Sequence, residues 1–299
     1  MEVVPGVVKA DFHHDRADVA RMAAPASELA RPTVGHGFAP EVTSVATLVV
    51  HNLVVHRLPA PADAALNLLT AAGLTAFARR VGCSDDDLGI RPADAAAGLR
   101  LGLAAAAVAT GGVVLGASLP ATRPFFHDRR VTAVGRGEVA YHLAVRIPLA
   151  TALAEELAFR GALLGLLQRR RSRAAAVRWA ALLFGAAHAL PTLKHYDGNP
   201  ASGLIADPRR GRRIAVLGTM LSTAAAGCMF AWLRFRSRSL VAPVLAHAAI
   251  NVSAYLAGRW VVREGKDGIL TADHLPPPTP DACRCRRMTP SRRKRVVHA

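Results

Sequence analysis

Apolar residues fall in long, nearly uncharged blocks separated by short polar clusters, with no alternation of period two that would mark strands. The first two blocks, Val42 to Val55 and Ala64 to Ala78, are short for a membrane span; His51 lies in the first and Arg79-Arg80 closes the second. Leu101 to Leu119 is uncharged and rich in Ala and Gly, a composition that lets helices approach closely in lipid. Pro148 to Leu167 follows, its proline suited to a first helical turn. The remaining blocks are Ala174 to Leu190, Ile214 to Leu233 and Leu240 to Leu256. At ~20 residues per span, the pattern predicts an all-α, polytopic helical membrane bundle of roughly seven spans. Residues 1–40 read as a polar tail, 41–262 as one membrane domain and 263–299 as a basic, Pro-containing tail. The opening residues lack the basic start and apolar core of a signal peptide. Internal repeats and a glycine-rich phosphate loop are absent from the pattern.

Composition sharpens this picture. The chain is 52% hydrophobic yet 20% charged, which is reconciled only by clustering of the charge into segments such as RRRSR, Arg169 to Arg173, and SRRKR, Ser291 to Arg295. The net charge of +17 invites a nucleic-acid reading. Basic loops beside apolar spans account for it more simply, through the positive-inside tendency and attraction to anionic headgroups, so no nucleic-acid partner is expected. The loops at Arg79-Arg80, Arg169 to Arg178 and Arg234 to Arg238 are expected together on the cytoplasmic side. Arg100 and Arg178 can snorkel to headgroups. Cys83, Cys228, Cys283 and Cys285 have neither finger spacing nor an evident disulfide framework.

The segment PLATALAEELAFRGALLGLL is anomalous because Glu155, Glu156 and Arg160 sit in mid-block. Each ionised group at bilayer depth costs ~2.5–3.5 kcal/mol on insertion scales. Glu156 and Arg160, four apart, can pair along one helix face, whereas Glu155 is turned about 100° from Glu156 and is left to face something else. Phe184 and His188, and His247 and Asn251, share the same spacing on two later helices. Three helices can thus deliver Glu155, His188, His247 and Asn251 to one polar pocket. The plainer alternative for a lone His on an apolar helix is a hydrogen-bonded core residue. His51 and His142 are read that way, near an interface. In lipid, ionisable residues mark function by default.

The motifs EELAFR, FGAAH and HAAIN, in that order, resemble the EExxxR, FxxxH and HxxxN motifs of the CAAX protease and bacteriocin-processing family, intramembrane endopeptidases similar to type II CAAX prenyl endopeptidase. The similar core runs from about Tyr141 to Tyr255. The resemblance implies that Glu155, helped by His188, activates a water, that His247 and Asn251 form an oxyanion hole, and that Glu156, Arg160 and Phe184 support them. It also leaves zinc open, with Glu155, His188 and His247 as the ligands if a metal is used, although HExxH is missing and a glutamate-type mechanism is favoured. The expected protein is an endopeptidase of a bacterial plasma membrane, acting on a membrane peptide or protein. A non-catalytic binding or immunity protein of the same fold, or a proton-coupled transporter, are the competing expectations.

Overall fold

Local sequence signals start and stop each helix. In the computed structural model, residues 39–127, 131, 134–196 and 206–264 are described. Helix α1, Pro40–Val55, and α2, Ala60–Arg80, each carry a proline in the first turn, where its missing N–H has no partner to lose. The short α3, Asp85–Leu88, is held by a capping box between Ser84 and Asp87 and stopped by Gly89 at φ 70°. Helix α4 spans Ala95–Ser118. After a loop, α5, Arg136–Tyr141, continues through two stretches of wide π-type turns, His142–Leu153 and Glu156–Leu163, into α6, Leu164–Gln168. Pro148 lies inside the first of these stretches and removes one N–H from its ladder. Helices α7, Arg173–Ala187, and α8, Ala189–His195, are separated by a break at His188; α9 is Pro208–Ser237 and α10 is Val241–Glu264.

All seven predicted apolar stretches are therefore helical, and the described residues contain no strand. Four helical segments are long and apolar enough to cross a bilayer: Pro92–Ser118, Arg173–His195, Pro208–Ser237 and Val241–Glu264. The protein is an integral membrane protein. The segment bearing the glutamates is more polar than these four and more enclosed, Ala158 to Leu167 being buried throughout. It runs through the middle of the bundle, flanked by α2, α7 and α9. The predicted tails, 1–40 and 263–299, lie almost wholly outside the described residues.

Glycines set the helix spacing. A Cβ at Gly102 of α4 would stand 3.0 Å from the Ala242 Cα of α10, and one at Gly185 of α7 would stand 2.4 Å from the Met220 carbonyl oxygen of α9. Both backbones approach too closely for any side chain, which is how helices gain contact where no hydrophobic force joins them. At one end of the bundle the α2–α3 turn gathers the basic loops. Arg169 donates to Gly82 O, Arg234 to Asp87 O, and Arg238 to Asp86 Oδ1 at 3.1 Å. Arg238 itself takes a left-handed φ of 58° to close the α9–α10 turn.

Gly185→Val should destabilise the protein by about 1–3 kcal/mol, the cost of overpacking a tight contact, and lower its melting temperature in detergent. Gly111→Val, at a position with nothing within 4 Å of an added Cβ, should melt close to wild type in the same assay.

Candidate active site

The two adjacent glutamates occupy different environments. The Glu156 side chain is 0% exposed and that of Glu155 is 32% exposed. Glu156 Oε1 accepts hydrogen bonds from Arg160 Nη1 at 3.0 Å, on its own helix, and from His247 Nδ1 at 2.9 Å, on α10. One carboxylate oxygen thus joins two segments of chain 91 residues apart. Aromatic faces enclose the pair. The Arg160 guanidinium lies 3.9 Å from the centroid of Phe184 and 5.1 Å from that of Phe230, and Phe230 stacks on His247 at 5.0 Å. A cation over ring faces is attracted by their quadrupoles, more strongly when water is excluded. Gly227 on α9 makes room: a Cβ there would meet Arg160 Nη2 at 3.1 Å.

Glu155 lies on the other side of His247. Its Oε2 is 3.9 Å from His247 Nε2, too long for a direct hydrogen bond, and this buried oxygen accepts none from the described residues. The carboxylate lines a cavity of about 190 Å³ together with Phe184 and His188. The break between α7 and α8 presents His188 there. A helix leaves its last four carbonyls without partners; here His188 Nδ1 donates to Phe184 O at 2.8 Å and Asn52 Nδ2 donates to Ala187 O at 2.8 Å. With Nδ1 carrying its hydrogen toward a carbonyl, His188 Nε2 is the nitrogen left to act as an acceptor.

Of the seven residues singled out in sequence, Glu156, Arg160 and His247 form the buried hydrogen-bonded group, and Glu155, His188 and Phe184 line the cavity. Asn251, half-buried one turn beyond His247, is not among the cavity's lining residues. His51, read as an interfacial residue, lines the cavity instead and bonds Thr70 Oγ1 through Nδ1 at 3.0 Å. His142 stacks on Tyr255 at 5.3 Å. Sequence reasoning passed over Asn52, Asn67, Asp63 and Arg146, which also face the cavity. Arg146 Nη2 donates to Asp63 Oδ2 at 2.7 Å, joining the start of α2 to the first π stretch. Polar residues inside short apolar blocks were the available signal. Among the described residues no three His, Cys, Asp or Glu side chains are grouped as a metal needs; the bond to Glu156 engages His247 Nδ1 and leaves Nε2 open.

Arg160→Ala would strand the Glu156 carboxylate in a dry interior, a loss that can reach ~3–5 kcal/mol. The expected result is little folded protein on size exclusion in detergent, with Arg80→Ala, at an exposed position, recovered near wild-type yield.

Residues 138–253 match the family model described as Type II CAAX prenyl endopeptidase Rce1-like. No curated protein and no solved structure matches the chain. The matched segment contains Glu155, Glu156, Arg160, Phe184, His188, His247 and Asn251. Residues 138–253 thus form a domain similar to the type II CAAX prenyl endopeptidase Rce1-like family, and its polar residues meet inside a helical bundle.

Proposed function

We propose that the protein is an intramembrane endopeptidase of a bacterial plasma membrane that hydrolyses a peptide bond in a membrane-associated peptide or protein, with Glu155 as general base and no metal. The observation that carries this reading is the Glu155 carboxylate, which faces a cavity beside His188 with one buried oxygen free of hydrogen-bond donors. A carboxylate in that state is ready to accept a proton from water.

In the proposed reaction, water held between Glu155 and His188 Nε2 loses its proton to Glu155 as its oxygen bonds to the peptide carbonyl carbon. The carbonyl π electrons move onto oxygen. In this scheme His247 donates to the oxyanion through Nε2 while Nδ1 stays on Glu156, and the Asn251 amide, one turn further along α10, is the second donor. Collapse of the intermediate breaks the C–N bond, and Glu155 returns its proton to the leaving nitrogen. Glu156 and Arg160 do not touch substrate in this scheme; they fix the ring of His247.

Glu155→Gln keeps the size of the side chain and removes the base, so cleavage of a membrane peptide by protein reconstituted in lipid should fall ~100- to 10,000-fold, with the melting temperature unchanged. Asn251→Ala should lower turnover ~100- to 1,000-fold, as loss of an oxyanion donor does. Undiminished cleavage by Glu155→Gln would remove Glu155 from the role of base. A wild-type protein that cleaves no membrane peptide, with a cellular phenotype that survives Glu155→Gln, would identify a binding protein. Activity should also survive exhaustive chelation; loss to chelator with recovery on adding zinc would overturn the metal-free scheme.

A further inference from the structure

A second polar cavity, of about 390 Å³, opens at the end of the bundle where the basic loops gather, and the catalytic scheme makes no use of it. It is lined by Asp86, Asp87, Gln168, Arg173, Arg234 and Arg238, with Phe235 beside them. Its carboxylates are already engaged. Asp87 Oδ2 accepts from the Ser84 backbone N–H and from Ser84 Oγ, both at 2.8 Å. Asp86 Oδ1 accepts from Arg238 Nη2 at 3.1 Å and lies 3.7 Å from Arg91. The three arginines that line the cavity still outnumber its two carboxylates. Arg234 is 3% exposed, its hydrogen bonds run from Nη2 to the Asp86 and Asp87 carbonyls, and its buried Nε has no partner. Among the described residues no carboxylate is paired with Arg173, and its guanidinium lies 4.6 Å from the centroid of the same Phe235 ring that Arg234 approaches at 5.2 Å. Two guanidinium groups on one ring repel each other unless an anion joins them.

A further feature favours negative charge in the same place. Arg173, which lines the cavity, is the first residue of α7, a helix of 15 residues capped by Ser172, so the positive end of that helix's dipole is nearby. Guanidinium forks match phosphate oxygens in geometry as well as charge. The cavity also sits where α9, a helix long enough to span the bilayer, ends at Ser237, and the ends of spanning helices meet the headgroup region. We infer that Arg173 and Arg234, with the N-terminus of α7, form a binding site for a phosphate group, carried by an anionic lipid headgroup or supplied as free phosphate. The site is separate from the cavity of Glu155 and does not depend on the peptidase reading.

The test uses the full chain in neutral detergent and reads thermal stabilisation and binding by native mass spectrometry. Phosphatidylglycerol, phosphatidylcholine and inorganic phosphate are added in separate arms. Phosphatidylglycerol should raise the melting temperature and remain bound. Arg173→Glu, at an exposed position, should weaken that binding about tenfold or more, given the contribution of each basic residue near anionic lipid. Arg80→Glu, the same charge change outside the cavity, should leave binding at wild-type strength. Arg234→Lys, which keeps the charge but not the fork, should weaken it as well. Stabilisation by inorganic phosphate that Arg173→Glu removes, with none by the lipid, would assign the site to free phosphate. Equal losses in Arg173→Glu and Arg80→Glu, or no loss in either, would overturn the site.

Discussion

The Glu156 carboxylate is the constraint on which the rest of the structure depends. A charge with no exposure to water must be matched by partners in fixed positions, and Glu156 is matched by Arg160 along its helix and by His247 across the bundle. Those two bonds tie α10 to the central segment. Arg160 must in turn be housed, and the Phe184 and Phe230 rings and the bare backbone of Gly227 house it. Two of these three lie on α9 and the third on α7, so the requirements of one buried charge propagate into the packing of four helical segments. Removing the pair together in favour of apolar residues could leave stability intact. It would also release His247, and a ring free to turn no longer holds Nε2 beside the Glu155 carboxylate.

Geometry on the cavity side follows from interruptions in regular helix. The wide turns through Glu156–Leu163 and the break at His188 are places where the backbone ladder departs from α geometry, and such departures recur at functional sites. The break at His188 is held by side chains that satisfy the freed carbonyls, one from the histidine itself and one from Asn52 of α1. Helix α1 therefore contributes to the site although its sequence carries no recognisable motif.

Helical spacing made part of this legible in sequence. The spacing of Glu156 and Arg160 foretold their hydrogen bond, and the turn between adjacent residues foretold that Glu155 faces elsewhere. The positions of the apolar blocks foretold the helices. What spacing could not supply was pairing over long separations. That His247 Nδ1 would choose Glu156, 91 residues away, depends on how three helices pack. The same limit hid Asp63 and Arg146, each of which reads alone as a stray charge near a helix end and whose ion pair bridges 83 residues. His51 was undervalued for a related reason: in a block too short to be a confident span, a histidine looks interfacial until α2 is packed beside it.

Two neighbouring glutamates also settle an electrostatic difficulty that any hydrolysis inside a membrane must meet. A neutral base taking a proton from water separates charge, and in a low-dielectric site separated charges are costly. On the proposed mechanism Glu155 starts as an anion, so its gain of a proton is matched by the appearance of the oxyanion. The negative charge moves across the His247 ring's neighbourhood rather than increasing. Glu156 cannot perform this step, because its charge is committed to Arg160 and His247 and its side chain has no contact with the cavity. Its bond to Nδ1 fixes the His247 ring, so that Nε2 stays on the side of Glu155. On the proposed mechanism, adjacent residues of one kind serve as a fixed and a movable charge, turned about 100° apart on the helix and joined through one histidine.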